Sequence, residues 1–180
     1  MKVALLLADG FEEIEALTPV DVLRRANITI DTISISEKTV MGAHGIEVSA
    51  DKTATEIIPE EYDMVILPGG MPGSSNLDKS EFTDLMLDSV IKRNGRIAAI
   101  CAAPMVLGHR GLLVGKHAVC YPGFENELKG AIIEDCGVVT DGNITTARGM
   151  GVALKFAEEL VALLINKDTA DKISAAIMEK

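Results

Sequence analysis

Arg96-Ile97-Ala98-Ala99-Ile100-Cys101-Ala102-Ala103-Pro104 is the stretch that decides the fold. Apolar residues run unbroken from Ile97 into a single cysteine, and Pro104-Met105-Val106-Leu107 follows. The pattern predicts a buried strand that stops at Cys101 and a helix directly behind it, a strand–turn–helix of the nucleophile-elbow kind. Pro104 suits the first helical turn, whose N–H groups have no intrahelical partner in any case. A sulfur at that junction faces the positive end of the helix, where unpaired N–H groups favour a thiolate. A buried, inert cysteine of an α/β core has the same local sequence, so the rest of the chain must decide between the two.

Outward from this stretch, Lys2 to Ala8 is nearly all apolar and predicts a first strand covered on both faces. Asp9-Gly10 turns the chain into Phe11-Glu12-Glu13-Ile14-Glu15-Ala16-Leu17. Helical spacing continues through Val20, Val22 and Leu23 to Ala26, and Pro19 is expected to bend this helix or remove one of its hydrogen bonds. Ile28 to Ser36 alternates as a strand, completing a right-handed βαβ unit. Val40-Met41 and Ile46-Glu47-Val48 predict a small hairpin around Gly42-Ala43-His44-Gly45. Met64 to Leu67 reads as a buried strand ending at Pro68-Gly69-Gly70, followed by a glycine-rich loop from Met71 to Asn76. Ser80 caps a predicted helix from Glu81 to about Arg93, which Asn94-Gly95 closes.

Beyond Cys101 the short helix is expected to reach about His109. His117 to Tyr121 reads as a strand ending at Pro122-Gly123, and Gly123 to Leu128 as a short helix. Val138 to Thr146 reads as a hairpin turning at Asp141-Gly142. Arg148-Gly149-Met150-Gly151 leads into an amphipathic helix to about Ile165, and Asp168 opens a last helix. This alternation predicts one α/β domain over residues 1–180, a sandwich with helices on both faces of a mostly parallel sheet.

In such sheets functional groups gather at the carboxyl ends of the strands. Asp9-Gly10, Pro68-Gly69-Gly70 and Cys101 are three strand ends, distant in sequence and expected to be neighbours. Acids in a first helical turn stabilise the helix dipole, which accounts for two of Glu12, Glu13 and Glu15. Glu15 lies on or near the inward face. A carboxyl held there would keep its proton to a higher pH and could exchange it with Cys101. Gly69-Gly70 reads either as a plain turn or as backbone that, with the N–H groups of Gly70 and Ala102, forms an oxyanion pocket beside the sulfur. A Cys–His nucleophile needs a histidine base. His109 ends the helix behind Cys101, His117 begins a strand at the opposite edge and His44 sits in a hairpin turn, so all three read as surface histidines. Leu67 to Gly73 lacks the Lys-Ser/Thr of a phosphate loop.

Composition narrows the classes. A chain of 180 residues with 48% hydrophobic content can bury a sizeable single core. A net charge of −10 excludes nucleic acid and anionic membrane as main partners. No apolar run approaches the ~18 residues of a membrane span. Asp9 interrupts the first run before the ~7–15 apolar residues of a signal peptide, so a cytoplasmic protein is expected. Three cysteines without a Cys-x-x-Cys pair fit a reducing compartment and give no zinc pattern.

Taken together, Ala98-Ala99-Ile100-Cys101-Ala102-Ala103-Pro104, Leu67-Pro68-Gly69-Gly70, and Glu12-Glu13-Ile14-Glu15 with Pro19-Val20-Asp21-Val22-Leu23-Arg24-Arg25-Ala26 resemble the ThiJ/PfpI superfamily. They are most similar to its DJ-one branch, that of the Parkinson-disease protein deglycase. The resemblance runs from Val3 to about Leu164. It implies a flavodoxin-like three-layer sandwich, a homodimer with Arg25 and His44 near its interface, and no metal or organic cofactor. It makes Cys101 the reactive cysteine and Glu15 the acid that hydrogen-bonds it. Gly70 and Ala102 become the amides around the sulfur, and Gly69, Tyr121 and Arg148 neighbours of the site. Tyr121-Pro122 departs from the His-Pro of many relatives, and a phenol is a poor base at neutral pH. Ala102 departs from the histidine of the protease-like branch, and no histidine follows His117 to match an amidotransferase.

The resemblance implies glyoxalase- or deglycase-type activity on α-oxoaldehydes such as methylglyoxal, or on their early adducts, in stress protection. The alternative it carries is an oxidative-stress sensor or redox-regulated chaperone acting through a Cys101 sulfinate. An intracellular peptidase ranks lower, and an inert Cys101 in a binding scaffold is the remaining reading.

Overall fold

The computed structural model describes residues 1–178. In chain order the elements are β1 (Lys2–Leu7), α1 (Glu13–Arg25), β2 (Thr29–Ser34), β3 (Thr39–Met41), β4 (Glu47–Ser49), β5 (Lys52–Thr53) and β6 (Met64–Leu67). Then come α2 (Gly73–Asp78), α3 (Glu81–Lys92), β7 (Arg96–Ile100), α4 (Pro104–His109), β8 (His117–Ala118) and β9 (Ile132–Ile133). β10 (Val138–Asp141), β11 (Ile144–Ala147), α5 (Ala153–Leu164) and α6 (Lys167–Ala176) complete the chain. Four 3₁₀ turns, Ala54–Glu56, Pro59–Glu61, Glu125–Glu127 and Met150–Val152, lie between them.

Seven strands form one sheet in the order β10-β11-β7-β6-β1-β2-β5. Every pairing in it is parallel except β10 with β11. The reason is visible in the side chains. Successive residues of a strand point to opposite faces, and in β1 both sets are apolar. Val3, Leu5 and Leu7 join one core with Met64, Ile66, Ala98 and Ile100. Ala16, Val20 and Leu23 of α1 and Phe156, Leu160 and Val161 of α5 cover that core. Ala4 and Leu6 join a second core with Val65, Leu67, Ile97 and Ala99. Leu77 of α2, Met86 and Val90 of α3, and Val106 and Leu107 of α4 cover that one. The result is the mostly parallel three-layer α/β sandwich that the alternation predicted.

The sheet order places β7, β6 and β1 side by side, so the ends of these strands at Cys101, Pro68-Gly69-Gly70 and Asp9-Gly10 meet at one edge of the sandwich. The β3–β4 hairpin forms in antiparallel register. The Ser80 hydroxyl accepts from the Thr83 N–H as a cap, and Asn94 takes the left-handed conformation at φ 54°. Pro19 stays inside an unbroken α1. The N–H it lacks would have bonded the carbonyl of Glu15, four residues back.

Three expectations are corrected. The glycine-rich segment predicted as a loop from Met71 to Asn76 contains α2. Its glycine and serines hid the helix, which Ser74 N–H to Gly70 O at 2.9 Å and Asn76 N–H to Pro72 O at 2.9 Å begin and the burial of Leu77 anchors. The strand read as His117 to Tyr121 is only His117–Ala118, because the Val119 N–H goes to the Thr146 hydroxyl and the Tyr121 N–H to the Cys101 carbonyl. The helix read over Gly123 to Leu128 shrinks to the single turn Glu125–Glu127. Among the described residues no helix is long and apolar enough to cross a membrane.

Phe156 is fully buried between α5 and the sheet. Phe156→Ala should lower stability by about 3–5 kcal/mol, read as a lower urea midpoint with an unchanged slope.

Candidate active site

Cys101 is the residue on which the strand end turns. It is not a glycine, yet its φ is 65°. Left-handed backbone of this kind persists in such a residue only where the surroundings over-determine it. Here they do: the Cys101 N–H donates to the Ala147 carbonyl at 2.9 Å, and its carbonyl accepts from the Tyr121 N–H at 2.8 Å. One bond ties it to the end of β11, the other to the loop after β8. Ala102 and Ala103 complete the turn, and Pro104 enters α4 at its first position.

Glu15 reaches this point from α1. It is 1% exposed, and its Oε2 accepts the Gly69 N–H at 3.0 Å. The Met150 N–H and the Cys101 thiol also lie beside this carboxyl and favour its ionised form. The approach depends on Gly69: a Cβ there would lie 2.3 Å from Glu15 Oε2 and 2.5 Å from the Cys101 Cβ. Gly70, at φ 88°, has no more room, because a Cβ would lie 2.3 Å from the Glu12 nitrogen. The N–H groups of Gly70 and Ala102 lie beside the Cys101 sulfur and favour its ionised form.

Burial pushes the Glu15 carboxyl up to about 7, and the nearby Glu12 charge adds to this, while the Cys101, Gly69 and Met150 hydrogen bonds pull it down. Burial also pushes the Cys101 thiol up, to about 12, and the Glu15 charge and its hydrogen bond push the same way against the Gly70 and Ala102 amides. The helix-terminus argument, which expected a thiolate, is therefore corrected. α4 is a six-residue helix, and its end is outweighed by desolvation and by an anion in contact with the sulfur. The two groups lie in contact and titrate as a pair.

The other sequence candidates sit around this pair. Tyr121, 51% exposed, and Arg148 line a cleft of about 350 Å³ with Pro122, Gly149, Met150 and Val152. Arg148 pairs with Asp135, at 2.6 Å. None of the histidines joins Cys101: His44 bonds Glu13, His109 bonds Asp78 and Glu127, and His117 bonds Glu134. Cys120 is buried, its thiol pushed up to about 11 by that burial and by Glu125, and Cys136 is exposed.

Glu13, an acid of the first turn of α1 like Glu15, is also buried. Its carboxylate accepts the His44 N–H at 2.8 Å and meets the His44 ring at 2.9 Å. These bonds, with Ala43 N–H to Phe11 O, hold the β3–β4 hairpin against the start of α1. Burial alone would raise its pKa, but the bonds from His44 keep it below the usual carboxylate range. Only the fold brings the Gly42–His44 turn to this glutamate. Glu12, Glu13 and His44 also place three potential ligand atoms within 4.8 Å of one another, an arrangement that the hydrogen bonds between Glu13 and His44 account for.

Residues 1–163 match the family model described as the DJ-1/PfpI family. The chain belongs to that family. Within it, the chain is 33% identical over 176 residues to protein dj-1beta of Drosophila melanogaster, covering 96% of this chain and 94% of that one. It is 31% identical over 167 residues to a Pyrococcus horikoshii protein named a deglycase, covering 91% and 99%. The solved structure titled Toxoplasma gondii DJ-1, oxidized, superposes with a TM-score of 0.93 at 36% identity, over 98% of this chain and 97% of that one. The DJ-1/PfpI sandwich is thus the fold that carries the Cys101–Glu15 pair.

A carboxyl whose pKa is raised by folding stabilises the fold fully below its ordinary value of 4.5 and loses that contribution as pH rises through about 7. Glu15→Gln carries no such charge. Between pH 5 and pH 8 wild type should therefore lose about 3 kcal/mol relative to Glu15→Gln, measured from urea midpoints across that range. Parallel pH profiles for the two proteins would contradict a buried, proton-holding Glu15.

Proposed function

We propose that this protein is a cysteine-dependent glyoxalase or deglycase, acting without a cofactor on α-oxoaldehydes such as methylglyoxal or their early adducts, in a stress-protective role. The observation that carries this reading is the strained Cys101 held in contact with Glu15 under two amide donors. Membership of the DJ-1/PfpI family and a relative named a deglycase support it.

With methylglyoxal the Cys101 sulfur forms a bond to the aldehyde carbon. Its proton passes by way of the Glu15 carboxylate to the aldehyde oxygen, giving a hemithioacetal, so the thiol does not have to ionise first. Glu15 then removes the hydrogen from that carbon as a proton and returns it to the neighbouring ketone carbon, while the hydroxyl proton on the first carbon passes to the ketone oxygen. The first carbon is oxidised to a thioester carbonyl and the second reduced to a carbinol. Water cleaves the C–S bond, releasing lactate and restoring the thiol. The Gly70 and Ala102 N–H groups, aimed at the sulfur, lie where charge develops on the adjacent oxygen. A carboxyl with a pKa near 7 suits both halves of this proton transfer. Purified protein should convert methylglyoxal to lactate, and both Cys101→Ser and Glu15→Gln should reduce the rate at least about 100-fold. Wild type that forms no lactate would exclude this reaction.

Oxidation of Cys101 is the second reading. A protonated Glu15 would donate a hydrogen bond to a sulfinate oxygen, and one structural relative is titled as oxidized. Mild peroxide should then add two oxygens at Cys101, located by peptide mass spectrometry, whereas oxidation confined to Cys120 or Cys136 would exclude a sensor role. A peptidase is disfavoured because His44, His109 and His117 are engaged elsewhere. We also propose a cytoplasmic homodimer that covers the exposed Ile14, Leu17, Met41 and Ile46 of α1 and the β3–β4 hairpin.

A further inference from the structure

The cleft beside Cys101 has a chemistry that the reaction above does not use. Methylglyoxal carries one methyl group beyond its two carbonyls. The cleft has about 350 Å³ of space, whereas a cavity of about 150 Å³ already accommodates benzene. Tyr121, Pro122, Met150 and Val152 line the cleft, and Val152 also packs against Gly137 and the first core. Tyr121 and Met150 are each 51% exposed, leaving large apolar surfaces open in the free protein. The one charged wall residue, Arg148, already pairs with Asp135.

The cleft abuts the reacting pair. Tyr121 donates its N–H to the Cys101 carbonyl, and the Met150 N–H lies beside the Glu15 carboxyl. Between them, the Cβ position of Gly149 lies 3.4 Å from the Tyr121 ring and 3.8 Å from Glu15 Oε1. A group bonded to the ketone carbon of a substrate held on Cys101 therefore has the apolar lining of this cleft within reach. Burying an aromatic ring against such walls is favourable in proportion to the apolar area removed from water.

We propose that this cleft is a substituent subsite, which makes the protein selective for α-oxoaldehydes bearing an aromatic or bulky apolar group over methylglyoxal. Val152 is its specificity-determining residue outside the machinery that holds Glu15 and Cys101. The preference for a bulky group at Cys101 belongs to the cleft itself, and only the turnover of such substrates rests on the reaction proposed above. Phenylglyoxal would pass through the same steps, its aldehyde carbon oxidised and its ketone carbon reduced, with water added, to give mandelate.

Two measurements separate the cleft from the reaction. In the first, Cys101 is alkylated with iodoacetanilide and with iodoacetamide, and the rates are read by peptide mass spectrometry. The sulfur gains a C–S bond, iodide leaves and the thiol proton goes to buffer. The ratio of the two rates, divided by the same ratio for free 2-mercaptoethanol, should exceed about fivefold, the order expected from partial burial of one ring. It should fall to near one in Val152→Asp, and by about half or more in Val152→Thr, which keeps the branched shape, adds a single hydroxyl and stands in should the aspartate variant misfold. In the second, kcat/KM for phenylglyoxal should exceed that for methylglyoxal by about tenfold, and Val152→Thr should lower the phenylglyoxal value while leaving the methylglyoxal value in place.

A normalised alkylation ratio near one in wild type overturns the subsite, whatever the turnover. A ratio that Val152→Thr leaves unmoved overturns the role of Val152, and Cys101 that neither reagent labels overturns the subsite as an entry to the sulfur. A high ratio with no turnover of either aldehyde leaves the subsite standing and removes the glyoxalase reading. Turnover of methylglyoxal with no preference for phenylglyoxal removes the subsite and leaves that reading.

Discussion

One buried carboxylate ties the functional edge of this molecule together. Glu15 belongs to the first turns of α1, yet it accepts from the N–H after β6 and lies beside the N–H of Met150 beyond β11 and the sulfur after β7. An anion taken out of water to 1% exposure is tolerable only where hydrogen bonds or a proton compensate it. Both occur here. Gly69 supplies a bond, with the Met150 N–H beside it, and the raised pKa supplies the proton. The glycine at 69 is the steric counterpart, since a side chain there would occupy the space of the carboxylate and of Cys101 together.

That constraint explains why the cysteine is strained and not merely buried. A left-handed φ at a non-glycine residue is unfavourable, and the fold offsets it with two main-chain bonds, to Ala147 and from Tyr121. The same two bonds set the walls of the neighbouring cleft, because Tyr121 is held over Gly149 by its own backbone. Position, protonation and access at the sulfur are thus consequences of one set of contacts. Substitutions in the loop after β8, or in Arg148-Gly149-Met150-Gly151, act on Cys101 without touching the sulfur.

The electrostatics also separate this site from a histidine-activated thiolate. With Glu15 ionised, the thiol is held at about 12, and a nearby helix of only six residues does not reverse that. A base in contact is then worth more than a lowered pKa, because it can take the proton as the sulfur attacks. The three histidines serve instead as structural links among α1, the β3–β4 hairpin, α2 and the turns after β8 and β9.

Sequence alone determined the sandwich, because unbroken apolar strands such as Val3 to Ala8 and Ile97 to Ile100 must be covered on both faces, and the helical stripes of α1, α3 and α5 are there to cover them. It determined that three strand ends would meet, since parallel strands share one carboxyl edge. It also singled out Cys101, Glu15 and the Gly69-Gly70 turn, with family resemblance adding their assignment. Tertiary structure alone decided the burial of Glu13, which depends on the Gly42–His44 turn coming back to α1. It revealed α2 among residues of poor helix propensity, where Leu77 and the bonds to Gly70 and Pro72 outweigh local preference. It also decided the protonation of the thiol. A helix terminus can be read from neighbouring residues, but desolvation and a carboxylate brought from 86 positions earlier in the chain, at Glu15, act only once the chain is folded.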